Sequence, residues 1–457
     1  MTRLTRPRRA APDHTSDRSP AGFRGGRTQH SVMTIPGRYA DAFAYGAMAC
    51  VSLLLIAFGL TQTTLGELIA GLWRIVRSSG VLITDYVALG GVGPAFVNAG
   101  LLMLVSVWLL LLFHARFRGL STIAIFLMGS FGLFGKNIFN VWPIIFGAWL
   151  YARLNREPFR EHIHTALFAT SLAPVVTECA FVLHLPGRVG IPLGMVVGLV
   201  VGLVIAPLAA HLKNVHKGFS LYNVGFTAGI LGTVIVSLLK SYGYQTGFNL
   251  IWSTGNDALF LGFLALLFAF LMLLGIASSH GTIQSLRAIF AETGQSCEDF
   301  AAIGGVGAAL VNMGLNGLIA TAYVLLVRGP LNGPTIGGIL TIAGFGAGGK
   351  HARNIIPILF GVVLGSLTKV WNINDPSVLL AALFGTCLAP IAGHYGWAWG
   401  VAAGFLNSSV ALCSGVLHGG MNLYNTGFSA GIVAAFLVPL MEALKRRARP
   451  RESEPAR

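Results

Sequence analysis

Residues 85–101 read DYVALGGVGPAFVNAGL, and residues 299–315 read DFAAIGGVGAALVNMGL. A second pair of stretches follows at the same offset of 214 positions, FGLFGKNIFNVWPIIFG at 131–147 and FGAGGKHARNIIPILFG at 345–361. Looser matches at slightly different offsets extend the repeat as far as Tyr222-Asn223 and Tyr424-Asn425. An internal duplication of this kind in an apolar chain is typical of transporters and channels.

The composition is that of a protein surrounded by lipid. Hydrophobic residues make up 54% of the 457 residues and charged residues 10%, whereas soluble domains carry roughly 25% charged residues. Apolar runs recur between about residues 41 and 443, many of them near the ~20 residues that a helix needs to cross a bilayer. Backbone exposed to lipid must satisfy its own hydrogen bonds, so these runs are predicted to be helices. The expected fold class is an all-α polytopic membrane protein.

Fourteen apolar segments, seven in each half, are the candidate membrane helices. They are 41–62, 91–113, 119–135, 138–152, 164–184, 190–212, 222–240, 258–278, 302–327, 333–349, 352–369, 377–394, 396–414 and 422–443. The amphipathic stretches 63–88 and 279–300 are predicted to lie in the membrane interface. The pairs within 119–152 and 333–369 either cross the membrane or form broken, re-entrant helices, and we expect about 12–14 membrane segments.

The distribution of basic residues predicts two inverted-topology repeats. Three loops of the first half contain seven Lys and Arg residues, and their equivalents in the second half contain two. The loops compared are 114–118, 153–162 and 211–217 in the first half and 328–333, 369–376 and 415–421 in the second. Because basic loops stay in the cytoplasm, equivalent loops are expected on opposite sides of the membrane.

The predicted organisation has four parts. Residues 1–36 form a disordered basic arm, 37–257 the first membrane repeat, 258–444 the second, and 445–457 a basic cytoplasmic tail. Both basic termini are expected in the cytoplasm, with the chain in the inner (plasma) membrane. Much of the net charge of +15 lies in the termini and loops, so we expect no nucleic-acid partner.

The strongest candidate site is the repeated motif Phe-Gly-x-x-Gly-Lys-x-x-x-Asn-x-x-Pro. Its first-half segments, 119–135 and 138–152, are only about 26 and 23 Å long as helices and are interrupted by glycine and proline. Short, interrupted segments at matching positions of two halves indicate a substrate site. Asn140 is predicted to cap the second half-helix, whose positive end beside Lys136 would favour an anion or a carbonyl oxygen. Alternatively, the glycines only permit a tight hairpin, and the lysines reach to the interface.

Six residues are the candidate substrate-binding set. The equivalents of Lys136 and Asn140 in the second half are Lys350 and Asn354. Asn98 and Asn312 lie within Gly-rich spans, where buried amides either lock helices together or line the path.

Glu178 and His394 are the candidate proton-coupling pair. Glu178 lies in the middle of an apolar segment, and His394 is its counterpart by offset. A carboxylate at that depth is costly, so it usually faces a cavity or a partner, and histidine titrates near neutral pH. Alternatively, Glu178 pairs with Lys136 or Lys350, and His394 makes a hydrogen bond at a helix end.

We expect neither a metal nor a cofactor. The five cysteines are scattered, and the histidines show no ligand spacing. Residues 344–350, GFGAGGK, resemble a nucleotide-binding loop, but His351 occupies the position that requires Ser or Thr.

The blocks Asp-x-x-Ala-x-Gly-Gly-Val-Gly-x-Ala-x-Val-Asn-x-Gly and Gly-Lys-x-x-x-Asn-x-x-Pro-Ile-x-Phe-Gly resemble a family of bacterial multipass proteins. That family, catalogued as a domain of unknown function, is similar over residues 40–445 and implies no particular substrate. A fainter resemblance, carried by Gly93-x-x-Phe96-x-Asn98 and Tyr222-Asn223, is to urea transporters. It implies inverted repeats with re-entrant half-helices.

The sequence therefore predicts a transporter or channel for a small polar or anionic solute, with its site between the two repeats near the bilayer midplane. The alternative is a membrane-embedded enzyme that uses Glu178, His394 and the repeat lysines. Duplicated polar residues favour transport, because an enzyme normally needs one asymmetric constellation. The expected partners are the lipid bilayer and the solute, and a homo-oligomer is left open.

Overall fold

The computed structural model of the chain describes residues 37–245, 250–278 and 282–448. Regular structure within these ranges is helical, and the β contacts there are two isolated bridges, Thr84 with Ile251 and Asp299 with Gly348. The expected disordered arm at 1–36 and the tail beyond Ala448 lie outside the described residues. The part of the tail that is described, from Lys445 to Ala448, continues the last helix.

Ten α-helices form the first half. They are α1 Gly37–Thr61, α2 Leu65–Arg77, α3 Tyr86–Gly90, α4 Val92–Leu112, α5 Gly119–Gly132, α6 Trp142–Leu154, α7 Ile163–Ala169, α8 Ala173–Thr177, α9 Gly187–His216 and α10 Asn223–Ser241. Short 3-10 turns lie at Phe159–Glu161 and Thr170–Leu172, and a π-helical turn lies at Glu178–Val182.

Nine α-helices form the second half. They are α11 Asp257–Ala277, α12 Thr282–Ala291, α13 Phe300–Leu326, α14 Gly333–Gly344, α15 Ala352–Thr368, α16 Pro376–Gly385, α17 Ala389–Tyr395, α18 Trp397–Ser414 and α19 Asn425–Ala448. The 3-10 turns Phe345–Ala347 and Thr386–Leu388 follow α14 and α16.

Nine helical segments of the described chain are long and apolar enough to cross a membrane. They are Ala40–Thr61, Val92–Leu112, Ile163–Val182, Gly187–His216, Asn223–Ser241, Asp257–Ala277, Phe300–Leu326, Pro376–Tyr395 and Asn425–Lys445. Shorter apolar helices lie at Gly119–Gly132, Gly333–Ala347 and Ala352–Thr368. The prediction of an all-α polytopic membrane protein is therefore confirmed, and each of the fourteen predicted segments coincides with helix to within a few residues.

The two halves repeat the same packing. α1 packs along α4 as α11 packs along α13, and α6 packs along α9 as α15 packs along α18. Between the halves, the main contacts join equivalent helices, α5 with α14 and α10 with α19. Self-complementary contacts of this kind arise around a twofold axis, so the halves are related by a pseudo-twofold.

The helices α10 and α19 cross at two glycines. A Cβ atom on Gly225 would lie 3.3 Å from the Cα of Gly427, and one on Gly427 would lie 3.2 Å from the Cα of Gly225. Small residues allow helix backbones to approach closely where no hydrophobic force drives association in lipid. The next residues along each helix, Phe226 and Phe428, stack with ring centroids 6.3 Å apart. The axis of the molecule therefore passes through the first turns of the last span of each half.

Candidate functional site

The two repeat lysines lie at tight turns after α5 and α14. In both copies a glycine with positive φ precedes the lysine, at 95° for Gly135 and 91° for Gly349, a conformation that other L-residues rarely adopt. The backbone N–H groups of Lys136 and Lys350 donate to Phe131 and Phe345, at 2.8 and 3.1 Å. Both lysine side chains are fully buried.

Asn98 and Asn312 brace these turns from the preceding span. The Asn98 amide donates to the carbonyls of Gly132 and Lys136, at 2.7 and 2.9 Å. Asn312 does the same in the second half, at 2.8 and 2.9 Å to Gly346 and Lys350. These acceptors belong to the last carbonyls of a broken helix, which need partners from outside the helix. Both amides thus lock helix to turn, which is one of the two roles predicted for them.

Asn140 and Asn354 also stabilise the turns, but Asn140 does not cap α6. The first helical residue of α6 is Trp142, and Val141 occupies the capping position. Asn140 instead accepts from the backbone N–H of Asn137 at 2.9 Å and donates to the carbonyl of Gly135 at 2.9 Å. Asn354 makes the equivalent bonds in its own copy. The capping prediction was wrong because Asn140 folds back onto the turn rather than forward onto the helix.

Each lysine ammonium binds a tyrosine of the other half. Lys136 Nζ donates to the hydroxyl of Tyr424 at 2.8 Å, and Lys350 Nζ donates to the hydroxyl of Tyr222 at 2.8 Å. Lys350 has a second oxygen partner, Thr386 Oγ1, also at 2.8 Å. The second contact of Lys136 is the sulfur of Met128 at 3.8 Å. The two lysines therefore have equivalent tyrosine partners but different second partners.

Four aromatic rings cluster around the two ammonium groups. The Tyr222 and Tyr424 centroids lie 6.5 Å apart on the pseudo-twofold axis. Tyr424 packs against Phe131 at 4.6 Å, and Tyr222 packs against Phe345 at 4.9 Å. Lys136 Nζ lies 4.9 Å from the Tyr424 centroid, and Lys350 Nζ lies 4.7 Å from that of Tyr222, distances at which cation–π attraction operates.

Neither lysine has a carboxylate partner among the described residues. The ion pairs in that part of the chain are His162 with Glu157 and Lys217 with Glu442. A buried ammonium without an opposite charge is costly, and its three N–H donors exceed the oxygen acceptors found at either site. Each ammonium group therefore has N–H donors that could bind a further acceptor.

A cavity of about 260 Å³ leads to this aromatic cluster. Its lining includes the buried rings of Phe131, Tyr222, Phe345 and Tyr424. Exposed Lys213 and Ser296 also line it, so they mark its mouth. The cavity thus connects the surface with the tyrosines that hold both lysines.

Glu178 and His394 are not brought together. Glu178 is buried and accepts from the hydroxyl of Ser79 and, at 2.8 Å, from that of Tyr244. His394 is exposed at the end of α17, where its ring packs against Phe219 and Tyr395. Glu178 is a counter-charge neither for His394 nor for the repeat lysines, because its hydrogen-bond partners lie in the loops after α2 and α10.

His216 and His418, at equivalent positions of the two halves, bind the asparagines that directly follow Tyr222 and Tyr424. Their Nε2 atoms lie 3.0 and 2.9 Å from the side-chain oxygens of Asn223 and Asn425. His418 lies in the loop between α18 and α19, where burial lowers the pKa of its imidazole to about 4. The neutral ring donates from Nε2 and anchors the start of α19 next to Tyr424.

Sequence reasoning left Tyr222, Tyr424 and Thr386 out of the candidate site. The repeated Tyr-Asn pair was the available signal. A tyrosine that occurs next to an asparagine in both copies is as plausible a hydrogen-bonding residue as a packing residue. Across the described residues, no group of three or more His, Cys, Asp or Glu side chains is placed to hold a metal ion.

One protein family matches the chain, over residues 64–241 and 278–443, which together make up about three quarters of its length. Its description is that of a protein of unknown function, DUF1576. No curated protein and no solved structure matches the chain.

Proposed function

The chain belongs to the DUF1576 family of proteins of unknown function, and from this premise we propose that it transports a small anionic solute across the membrane. The observation that carries the proposal is the pair of buried lysines that have no carboxylate partner among the described residues, each bound to a tyrosine that lines one cavity. An anion that reaches this floor would supply the acceptor that both ammonium groups need.

The size and chemistry of the cavity favour a small solute. A volume of about 260 Å³ corresponds to roughly nine water molecules, each of which occupies about 30 Å³ in the liquid. The tyrosine hydroxyls are the immediate partners of the lysines, so they would rotate or shift as the solute binds. Aromatic rings around the ammonium groups exclude water and strengthen the attraction for a desolvated anion.

We further propose that α5–α6 and α14–α15 are re-entrant hairpins. α5 and α6 contain 14 and 13 residues, about 21 and 20 Å of helix, against a hydrocarbon core of ~30 Å. Each half would then cross the membrane five times, with the 18-residue α18 as the fifth span of the second half. The odd number inverts the second half. The seven basic residues in the first-half loops favour a cytoplasmic position for those loops and for both termini.

The cavity supports an alternating-access mechanism because one of its lining rings has a different position from its counterpart in the other half. Ser296 at the mouth corresponds to Leu82, and the backbone bonds of Ser296 to Gly218 and of Leu82 to Gly420 are equivalent, each 3.0 Å. Phe168 lines the cavity, whereas its counterpart Phe384 stacks on Phe131 at 5.2 Å. Exchange of these two arrangements would close the cavity on one side and open it on the other.

We propose no catalytic role. The enzyme alternative needs Glu178, His394 and the lysines in one constellation, and their side chains have separate partners. Two equivalent lysine sites on an axis suit a solute that passes from one to the other.

The test is uptake into proteoliposomes that contain the purified full chain. The solutes are chloride, nitrate, formate, acetate and phosphate, with urea and glycerol as neutral probes. We expect protein-dependent uptake of at least one anion, its loss in Lys136→Met and Lys350→Met, and its retention in Lys240→Met, which removes an exposed lysine at the end of α10. Thermal unfolding of each variant separates lost binding from lost folding.

Two results would contradict the proposal. One is uptake of urea or glycerol alone at a rate that the lysine variants preserve. The other is a folded protein that transports none of the anions and is not stabilised against heat by any of them, since a ligand that binds the folded state raises its stability.

A further inference from the structure

A large apolar groove lies on the outer surface of the first half, away from the lysine site. It has a volume of about 650 Å³ and lies between α4, α6 and α9. Its walls include the exposed side chains of Trp108, Phe146 and Val196, which are 53%, 51% and 59% accessible. On helices that cross a membrane, such a groove faces the acyl chains of the bilayer.

The groove runs from the start of α6 towards the basic loops. Trp142 and Pro143 form one end, at the first turn of α6, and Phe113 and Phe159 form the other. Phe113 directly precedes the loop 114–118, and Phe159 lies within the loop 153–162. Trp149 lies between the two ends, with the guanidinium of Arg153 5.5 Å from its ring centroid.

The loops at this end are positively charged and exposed. They carry Arg116, Arg118, Arg153, Arg156 and Arg160, all of which are exposed. Two acidic residues, Glu157 and Glu161, lie among them, and Glu157 is paired with His162. The arginines therefore outnumber the carboxylates where the groove meets the membrane surface.

The second half provides an internal comparison. At the offset of 214, Trp108, Trp142 and Trp149 correspond to Ala322, Ile356 and Val363. Arg153 corresponds to Leu367, and Arg116 and Arg118 correspond to Pro330 and Asn332. The indoles and the arginines occur together in one copy and are missing together from the other.

We propose that this groove binds one anionic phospholipid, with an acyl chain along Trp108, Trp142 and Trp149 and the headgroup phosphate against Arg153 and Arg156. Indoles are favoured at the depth where chains meet headgroups, and arginine is suited to phosphate because of its planar donors. Basic pockets between membrane helices are typical sites for acidic lipid headgroups. The inference does not depend on the transported solute.

Quenching of tryptophan fluorescence by lipids with brominated chains tests the proposal on the full chain in neutral detergent. Brominated phosphatidylglycerol should quench at lower lipid-to-protein ratios than brominated phosphatidylcholine. Each exposed arginine changed to glutamine should weaken phosphatidylglycerol binding about fivefold, so Arg153→Gln with Arg156→Gln should remove the preference. Arg188→Gln, exposed at the start of α9, should keep it. Trp108→Phe, Trp142→Phe and Trp149→Phe together should remove most of the difference in quenching between the two lipids, because exposed Trp73 and Trp397 lie outside the groove and are quenched by either lipid.

Three outcomes would overturn the proposal. They are equal quenching by the two lipids, a preference that survives in the double arginine variant, and a difference in quenching between the lipids that survives in the triple tryptophan variant. A disulfide-linked dimer formed in membranes by Phe146→Cys, in a background of Cys50→Ser and Cys413→Ser, would show instead that a second copy occupies the groove.

Discussion

The ammonium of Lys136 and the hydroxyl of Tyr424 lie 2.8 Å apart, although 288 positions separate the two residues in the chain. The equivalent pair, Lys350 and Tyr222, has the same separation between Nζ and the hydroxyl oxygen. Each half therefore completes the polar site of the other. The two ammonium groups differ in their second partner, and that difference makes the two sites separable by experiment.

Removal of the tyrosine hydroxyls should affect the two sites unequally. A hydrogen bond to a charged group stabilises by about 1.5–3 kcal/mol. Tyr424→Phe leaves Lys136 with the sulfur of Met128 alone, whereas Tyr222→Phe leaves Lys350 with Thr386. We expect Tyr424→Phe to lower the thermal midpoint more in detergent. Tyr323→Phe is the matched control, because that buried hydroxyl has no partner in the described structure, and equal losses in all three variants would refute the explanation.

The asparagine braces should show the same kind of asymmetry. The carbonyl of Lys350 accepts from both Asn312 and Asn316, whereas that of Lys136 accepts from Asn98 alone among these amides. Asn98→Leu should therefore destabilise the chain by about 1–3 kcal/mol, the cost of a buried acceptor left without a donor. Asn312→Leu should cost less. A larger loss of thermal stability in Asn312→Leu would be inconsistent with this account.

Labelling of introduced cysteines tests the inverted topology. Glu157 and Asn374 are exposed and lie in equivalent loops of the two halves. Glu157→Cys and Asn374→Cys should react with a membrane-impermeant maleimide from opposite sides of intact and inverted vesicles. Reaction of both from the same side would mean that the repeats are parallel, and the alternating-access mechanism would then fail.

His418 should make stability depend on pH in the acidic range. Burial depresses the pKa of its imidazole from 6.5 to about 4, so the folded chain keeps the neutral ring while the unfolded chain takes up a proton. The stabilisation is complete above pH 6.5 and is lost as the pH falls towards 4, by on the order of 3 kcal/mol. His418→Gln should flatten this decline in the thermal midpoint, and exposed His211→Gln should not. A decline of unchanged steepness in His418→Gln would assign the acid sensitivity to other groups.

Hydropathy and the repeat were enough to predict the helices, because lipid forces apolar runs such as 190–212 into regular hydrogen bonding. They were not enough to pair polar side chains across the fold. The offset that matches Glu178 with His394 aligns positions in the two copies, but a pseudo-twofold brings equivalent positions together only on its axis. Tyr222 and Tyr424 lie on that axis, and Glu178 and His394 do not.

Local turn chemistry was predicted in part. The glycine before each lysine indicated a broken helix, and its positive φ confirms the reason for glycine there. Asn140 was assigned to the helix that follows because asparagine favours capping positions. In the fold the same side chain reaches Gly135 and Thr177, and Thr177 is a long-range partner that no local pattern reveals.

Because each lysine binds a tyrosine of the other half, the two partners of each pair are synthesised at different times. At 5–20 residues per second, Tyr424 leaves the ribosome on the order of 15–60 s after Lys136. During that interval the first lysine is already within the nascent membrane domain without its acceptor, and Tyr222 waits in the same way for Lys350. A truncated product that ends with α18 would therefore lack the hydroxyl that the Lys136 ammonium binds.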